Sequence, residues 1–188
     1  MESKEKNTKE KILEEALKLF AQSGYMGTSM NDIASKLGVT KAALYKHYKS
    51  KQEILDSIIE KMNELDIERV KLYEMPEGDL EKVTAEYKET AFDKIKQFTK
   101  VQFLHWTEEE FSSCFRKMLT LEQYREPQMA QLYQNYLASG PLAYMEALFS
   151  GMLGDAEKAR QTALDFYGPI FLLYSIYDGA EDKSHVIK

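Results

Sequence analysis

Three lysines and a tyrosine at short spacing supply the groups that bind a polyanion. Residues 28 to 51 read TSMNDIASKLGVTKAALYKHYKSK. In this stretch Lys41, Tyr45 and Lys46 fall on the outward side of a short helix, while Val39, Ala43 and Leu44 are expected to turn inward. Lys51 stands where the next helix opens, so the three ammonium groups converge. Ammonium and hydroxyl groups bond phosphate oxygens and reach base edges in a groove, and the small Ala42 and Ala43 allow close backbone approach. Lys36, just before the turn, either solvates its helix or reaches the same backbone.

Other chemistries have less behind them. His47, His105 and His185 are scattered, with no HExxH pair. His105, Glu108, Glu109 and Cys114 lack a specific metal-ligand spacing, so a buried histidine beside a solvated acidic turn is the simpler reading. Ser112 and Ser113 have no identifiable base, and neither a GxSxG elbow nor a glycine-rich phosphate loop occurs. The expectation is a protein that is not an enzyme, with no cofactor and no metal site. Cys114 is the single cysteine, which excludes an intrachain disulfide.

Helices must position these groups. Apolar residues return at three and four positions almost everywhere, which predicts an all-α fold. A first helix over about 8–22 buries Ile12, Ala16, Leu17 and Phe20, and Gly24 stops it. Ser29 followed by Asp32 resembles a capping box for a second helix, Gly38 suits a tight turn, and Thr40 caps a third running through His47. The SKQE run from Ser50 opens a long fourth helix to about Tyr73, ended by Met75-Pro76-Glu77-Gly78-Asp79. Together these form helix-turn-helix geometry, in which one helix supports a second across the major groove.

Charge divides where function is expected to divide. The chain has 188 residues and a formal charge of -6, but residues 1–50 hold 9 Lys/Arg against 6 Asp/Glu. The remaining residues hold 16 against 25. A DNA-binding domain over 1–50 and a helical ligand-binding and dimerisation domain over 51–188 are expected. No secretory or transit segment leads the chain, and the most apolar stretch is too short to cross a bilayer, so no membrane partner and a cytoplasmic setting are expected.

The segment from Ile12 to Ile59, with FAQSGYMGTSM followed by NDIASKLGVTKAALYKHYKSKQEIL, resembles the amino-terminal domain of the TetR family of transcriptional regulators. Tyr48 stands where the family usually has Phe, and Ala42 replaces a glycine common early in the recognition helix. The resemblance implies a three-helix head, a connecting fourth helix, and a helical body that dimerises and usually holds an inducer pocket. It implies phosphate contacts from Thr28, Lys41, Tyr45, His47 and Lys51, with Thr40 and Ala42 near base edges. Tyr45 is open between a DNA-facing role and a core aromatic, and His47 between a phosphate contact and a helix-end hydrogen bond. The partner would be double-stranded DNA with a pseudo-palindromic operator; the alternative is a helical structural or interaction protein whose head no longer binds DNA.

The body is rich in aromatic and methionine side chains, which line adaptable apolar pockets. Tyr87, Phe98, Phe103, Trp106, Phe111, Phe115, Met118 and Tyr133 are the expected lining for a small apolar, aromatic or cationic effector; the plainer reading of each is core. Near the end, Phe166, Ile170, Leu173 and Tyr177 form one apolar line and Tyr167, Phe171 and Tyr174 a neighbouring one. A helix apolar over so much of its circumference needs more than one partner, so Phe166, Tyr167, Ile170, Phe171 and Tyr174 are expected in a homodimer interface.

Overall fold

The computed structural model describes residues 2–187, with side chains described over 7–186. The elements in order are α1 (Glu2–Ser23), α2 (Met30–Lys36), α3 (Lys41–Tyr45), α4 (Lys51–Leu72), α5 (Leu80–Glu89) and α6 (Phe92–Thr107). They continue with α7 (Glu110–Glu122), α8 (Pro127–Leu137), α9 (Ser139–Leu153), α10 (Ala156–Gly179) and α11 (Ser184–Ile187). No strand occurs among the described residues.

The chain packs as two units, 1–67 with 110–130, and 68–109 with 131–188. Residues 51–67 and 110–130 thus group in packing with the head, and the packing does not divide at residue 50.

In the first unit α1 buries Ile12, Leu13, Ala16, Leu17 and Phe20 along one stripe and packs on α7, whose Phe115, Met118 and Leu119 are fully buried. Gly24 ends α1 with φ +82°, and its amide donates to the Phe20 carbonyl at 2.9 Å. The reading head then depends on local caps. Ser29 Oγ accepts the Asp32 amide at 3.2 Å, and the Asp32 carboxylate accepts the Ser29 amide at 2.8 Å. The Ser29 hydroxyl also donates to this carboxylate at 2.6 Å, and this bond, with the one from the Ser29 amide, favours the ionised form and holds the Asp32 carboxyl below its ordinary range. Gly38, at φ +66°, makes the turn, and Thr40 Oγ1 caps α3 by accepting the Ala43 amide at 3.2 Å.

α3 stops at Tyr45, sooner than the expected His47. A helix this short does not stand alone, and the fully buried Leu44 is what fastens it to the head. At α4, Ser50 Oγ accepts the Glu53 amide at 3.1 Å, but the Glu53 carboxylate reaches past the cap to the Lys49 amide at 2.6 Å.

In the second unit α10 packs on α9 and α6, and α5 packs on α9. Ala159 and Ala163 are fully buried, so small side chains let α10 lie close to its neighbours. α10 continues through Pro169; Asp165, whose carbonyl loses its donor there, is exposed and can be hydrated.

Tyr174, expected at a homodimer interface, is instead taken up by its own chain. Tyr174 and Tyr177 are buried within the chain, because Phe103 stacks on Tyr174 at 5.5 Å and meets Tyr177 edge-on at 5.9 Å. Phe166, Tyr167 and Ile170 are half-buried, and the Tyr167 hydroxyl donates to the Leu137 carbonyl at 2.8 Å. The outward apolar face holds Phe171 of the expected set together with Leu164, Leu172 and Ile176, with Gly168 between them.

Candidate nucleic-acid interface

The capped α2, the Gly38 turn and the short α3 set out a face of polar and small side chains. Thr40, Lys41, Ala42, Tyr45 and Lys46 are exposed on it, and Lys36 is exposed at the end of α2. Of the two readings open for Tyr45, the ring stands outward at 41% exposure, with the Lys41 ammonium 5.8 Å from its centroid. Tyr48, three residues on, is buried instead. Tyr48 lies beyond the end of α3, so it does not share the face of that helix.

Val39 does not turn inward as expected. It is exposed, because the left-handed Gly38 reverses the chain and the Val39 amide is fixed on the Ala34 carbonyl at 3.0 Å. Val39 instead edges a groove of about 630 Å³ shared with Ile12, Leu37, Ala43, Leu44 and His47. His47 is half-buried, with Nδ1 enclosed and without a hydrogen-bond partner.

Two residues assigned to phosphate by resemblance sit elsewhere. Thr28 is buried, and its hydroxyl donates to the Gly24 carbonyl at 2.8 Å. Lys51 Nζ donates to the Tyr25 carbonyl at 2.6 Å and the Thr28 carbonyl at 2.8 Å, and lies 4.2 Å from the centroid of the Tyr25 ring. Burial lowers the Lys51 pKa, and the negative charge of Glu122 works against that shift. Glu122 is separated from this turn by almost a hundred residues, and no local pattern in the sequence marks it.

The expected effector lining does not come together as one set. Phe111, Phe115 and Met118 belong to the first unit, where Phe115 and Met118 are core and Phe111 lies under Lys61 at 4.5 Å. Tyr87, Phe98, Phe103, Trp106 and Tyr133 belong to the second. There Phe98 faces Tyr73 at 6.0 Å and Trp106 faces Tyr136 at 6.4 Å. Two open grooves on this unit, of about 890 and 560 Å³, follow α5 and are lined by none of the eight residues. Tyr87 is half-buried, and burial pushes its phenol up to about 12.

The HWTEEE run is used in pieces. Glu108 accepts the Tyr177 hydroxyl, Glu109 Oε2 lies 2.7 Å from His105 Nδ1, and Glu110 pairs with Lys18 at 3.1 Å in the first unit. Cys114 belongs to the first unit and His105 to the second. His105 is fully buried, with Arg69 also against Nδ1.

Burial is the main cause that lowers the His105 pKa to about 4; Glu109 opposes the shift and the Arg69 charge adds to it. Between about 6.5 and 4 the unfolded chain therefore binds a proton that the folded one does not. Stability from this group is intact above the upper value, falls as pH drops through the window, and is fully lost below the lower value. Urea unfolding at pH 7 and pH 5 is expected to show a larger drop for the wild type than for His105→Asn. Equal drops in the two proteins would contradict this assignment.

Residues 12–58 match the amino-terminal domain of the tetR family of bacterial regulatory proteins. A relative over this region is the Staphylococcus epidermidis negative transcriptional regulator of the icaADBC biofilm operon, IcaR, 42% identical over 52 residues, 28% of each chain. The Staphylococcus aureus IcaR is 41% identical over 51 residues, 27% of each chain. The chain therefore spans little more than a quarter of these relatives' length. A Clostridium perfringens candidate regulator of fatty acid metabolism superposes with TM-score 0.60 at 24% identity, covering 94% of this chain and 91% of its own. A TetR/AcrR-family regulator from Thermobifida fusca gives TM-score 0.53 at 19% identity, covering 96% and 92%. These two likenesses concern the fold.

Proposed function

We propose that this chain, whose residues 12–58 are a TetR-family amino-terminal domain and whose all-helical fold is that of TetR-family regulators, binds a pseudo-palindromic operator as a homodimer and represses transcription from it. The observation that carries the reading is the exposed Thr40, Lys41, Ala42, Tyr45 and Lys46 face, held out by one buried leucine. Small and basic groups stand outward there, which is what a helix entering a groove between two phosphate backbones requires. The IcaR proteins are negative regulators, which favours repression over activation.

Residues 1–50 serve as the DNA-binding part and 51–188 as the dimerisation and effector part. Its setting is the cytoplasm, and no described helix is long and apolar enough to cross a membrane. A small apolar, aromatic or cationic effector binding to the second part would favour a spacing of the two heads that no longer fits the operator. The aromatic richness of the second unit, which holds Tyr87, Phe98, Phe103, Trp106 and Tyr133 among others, supports such a ligand.

Lys46→Ala tests the contact face. If Lys46 meets a phosphate, affinity falls by about the same factor for all duplex sequences, and the slope of log affinity against log salt shrinks by about 0.9. An unchanged slope together with altered base preference would make Lys46 a base reader. Unchanged affinity and preference would remove it from the interface.

A further inference from the structure

We propose that Lys51 and Glu122 are positioning residues of the reading head, which together fix the Gly24–Thr28 turn without touching DNA. In its functional consequence this rests on the DNA-binding reading above; in its structural part it stands alone.

The turn leads directly into the Ser29 cap of α2, so its conformation sets where the helix-turn-helix begins. Lys51 holds it from one side. Two of its three ammonium protons are committed to the Tyr25 and Thr28 carbonyls, and the charge rests on the Tyr25 ring. An ammonium spent in this way would have to break two charge-assisted bonds to reach a phosphate.

Glu122 holds the turn from the other side. It is the last residue of α7 and fully buried, and its Oε1 accepts the Met26 amide at 3.4 Å and pairs with Arg125 at 3.3 Å. Gly24 lies so close that a Cβ there would overlap the Glu122 carboxylate, which fixes a glycine at this position for reasons of space as well as φ. Oε2 is enclosed without a hydrogen-bond partner. A buried carboxylate with an unmet oxygen is costly. The Arg125 side chain is mostly in solvent, so its pair offsets little of that cost. What the carboxylate does provide is a negative charge that works against the lowering of the Lys51 pKa by burial, and an acceptor for the Met26 amide of the turn. Because Glu122 ends the helix packed on α1, α7 and the head are tied at two places.

Wild type, Glu122→Gln, Lys51→Met and the double variant are compared by hydrogen exchange without DNA. They are then compared by salt-dependent binding to a duplex recovered by the wild type from genomic fragments. Amides of the turn are expected to exchange about tenfold faster in both single variants, with α10 unchanged. Affinity should fall about tenfold in each, the double variant should fall by less than the product, and the salt slope should stay that of the wild type. A slope smaller by about 0.9 in Lys51→Met would make Lys51 a phosphate contact and overturn the proposal. Unchanged exchange in the turn would overturn it as well. If the wild type recovers no duplex, the DNA-binding reading fails, while the exchange comparison still decides the structural part. Should Glu122→Gln not fold, Lys51→Met carries the same two readouts at a half-buried position.

Discussion

Replacing Leu172 with glutamate is expected to convert a dimer into a folded monomer and to lower operator affinity by at least about a hundredfold. Leu172 is 60% exposed on α10, so it contributes little to the fold of its own chain. Leu164, Phe171 and Ile176 are exposed on the same face, and Gly168 has open space where a side chain would stand. Four large apolar groups at helical spacing around a glycine form a flat strip that a second copy can approach closely. In a two-fold contact each glutamate faces the partner's copy of the same strip, so two charges lose water together. A monomer reads one half-site, and the contacts of the second are lost. Sedimentation at low concentration, with circular dichroism to verify folding, checks this. A dimer mass equal to that of the wild type would place the strip outside the interface.

That strip was only half legible in the sequence. Periodicity shows that α10 is apolar on more than one side, but not which side its own chain covers. The answer depends on Phe103, some seventy residues earlier, which takes Tyr174 and Tyr177 into the core. Of the five residues expected at the interface, Phe171 stands outward and Tyr174 does not. Leu164, Leu172 and Ile176 do stand outward, and their i, i+8, i+12 spacing was present in the sequence without being separable from the neighbouring lines.

Phe20→Ala is expected to cost about 3–5 kcal/mol and to lower the melting temperature by roughly 10 °C. Phe20 is fully buried on α1 and meets the Tyr25 ring edge-on at 5.1 Å, in the turn that precedes α2. A cavity there would loosen the α1 packing and the turn together, so DNA binding should be lost before global unfolding. Thermal and urea unfolding measure the cost; a change below about 1 kcal/mol would mean that the site collapses around the cavity.

The head itself was legible because its signals are local. Ser29 with Asp32, Gly38, Thr40 and the Ser50–Glu53 pair lie within a few residues of the ends they define, and each stands at its helix end. What was not legible is what the head leans on. α7 joins it through contacts separated by about a hundred residues, and for that reason Phe115 and Met118 read equally well as pocket lining. Thr28 and Lys51 likewise carry the residue types of a phosphate site. Only the path of the Gly24–Thr28 turn shows that their polar atoms are already engaged.

On the function proposed above, this chain reads a two-fold DNA site through α3. Selection of genomic fragments by the purified protein, followed by titration of the recovered duplex over a range of salt, tests it most directly. The expected result is enrichment of a pseudo-palindrome with half-sites centred roughly 34–36 Å apart or a multiple of that, and an affinity that falls steeply as salt rises. A folded protein that enriches no sequence and shows no salt-sensitive affinity for DNA would contradict it.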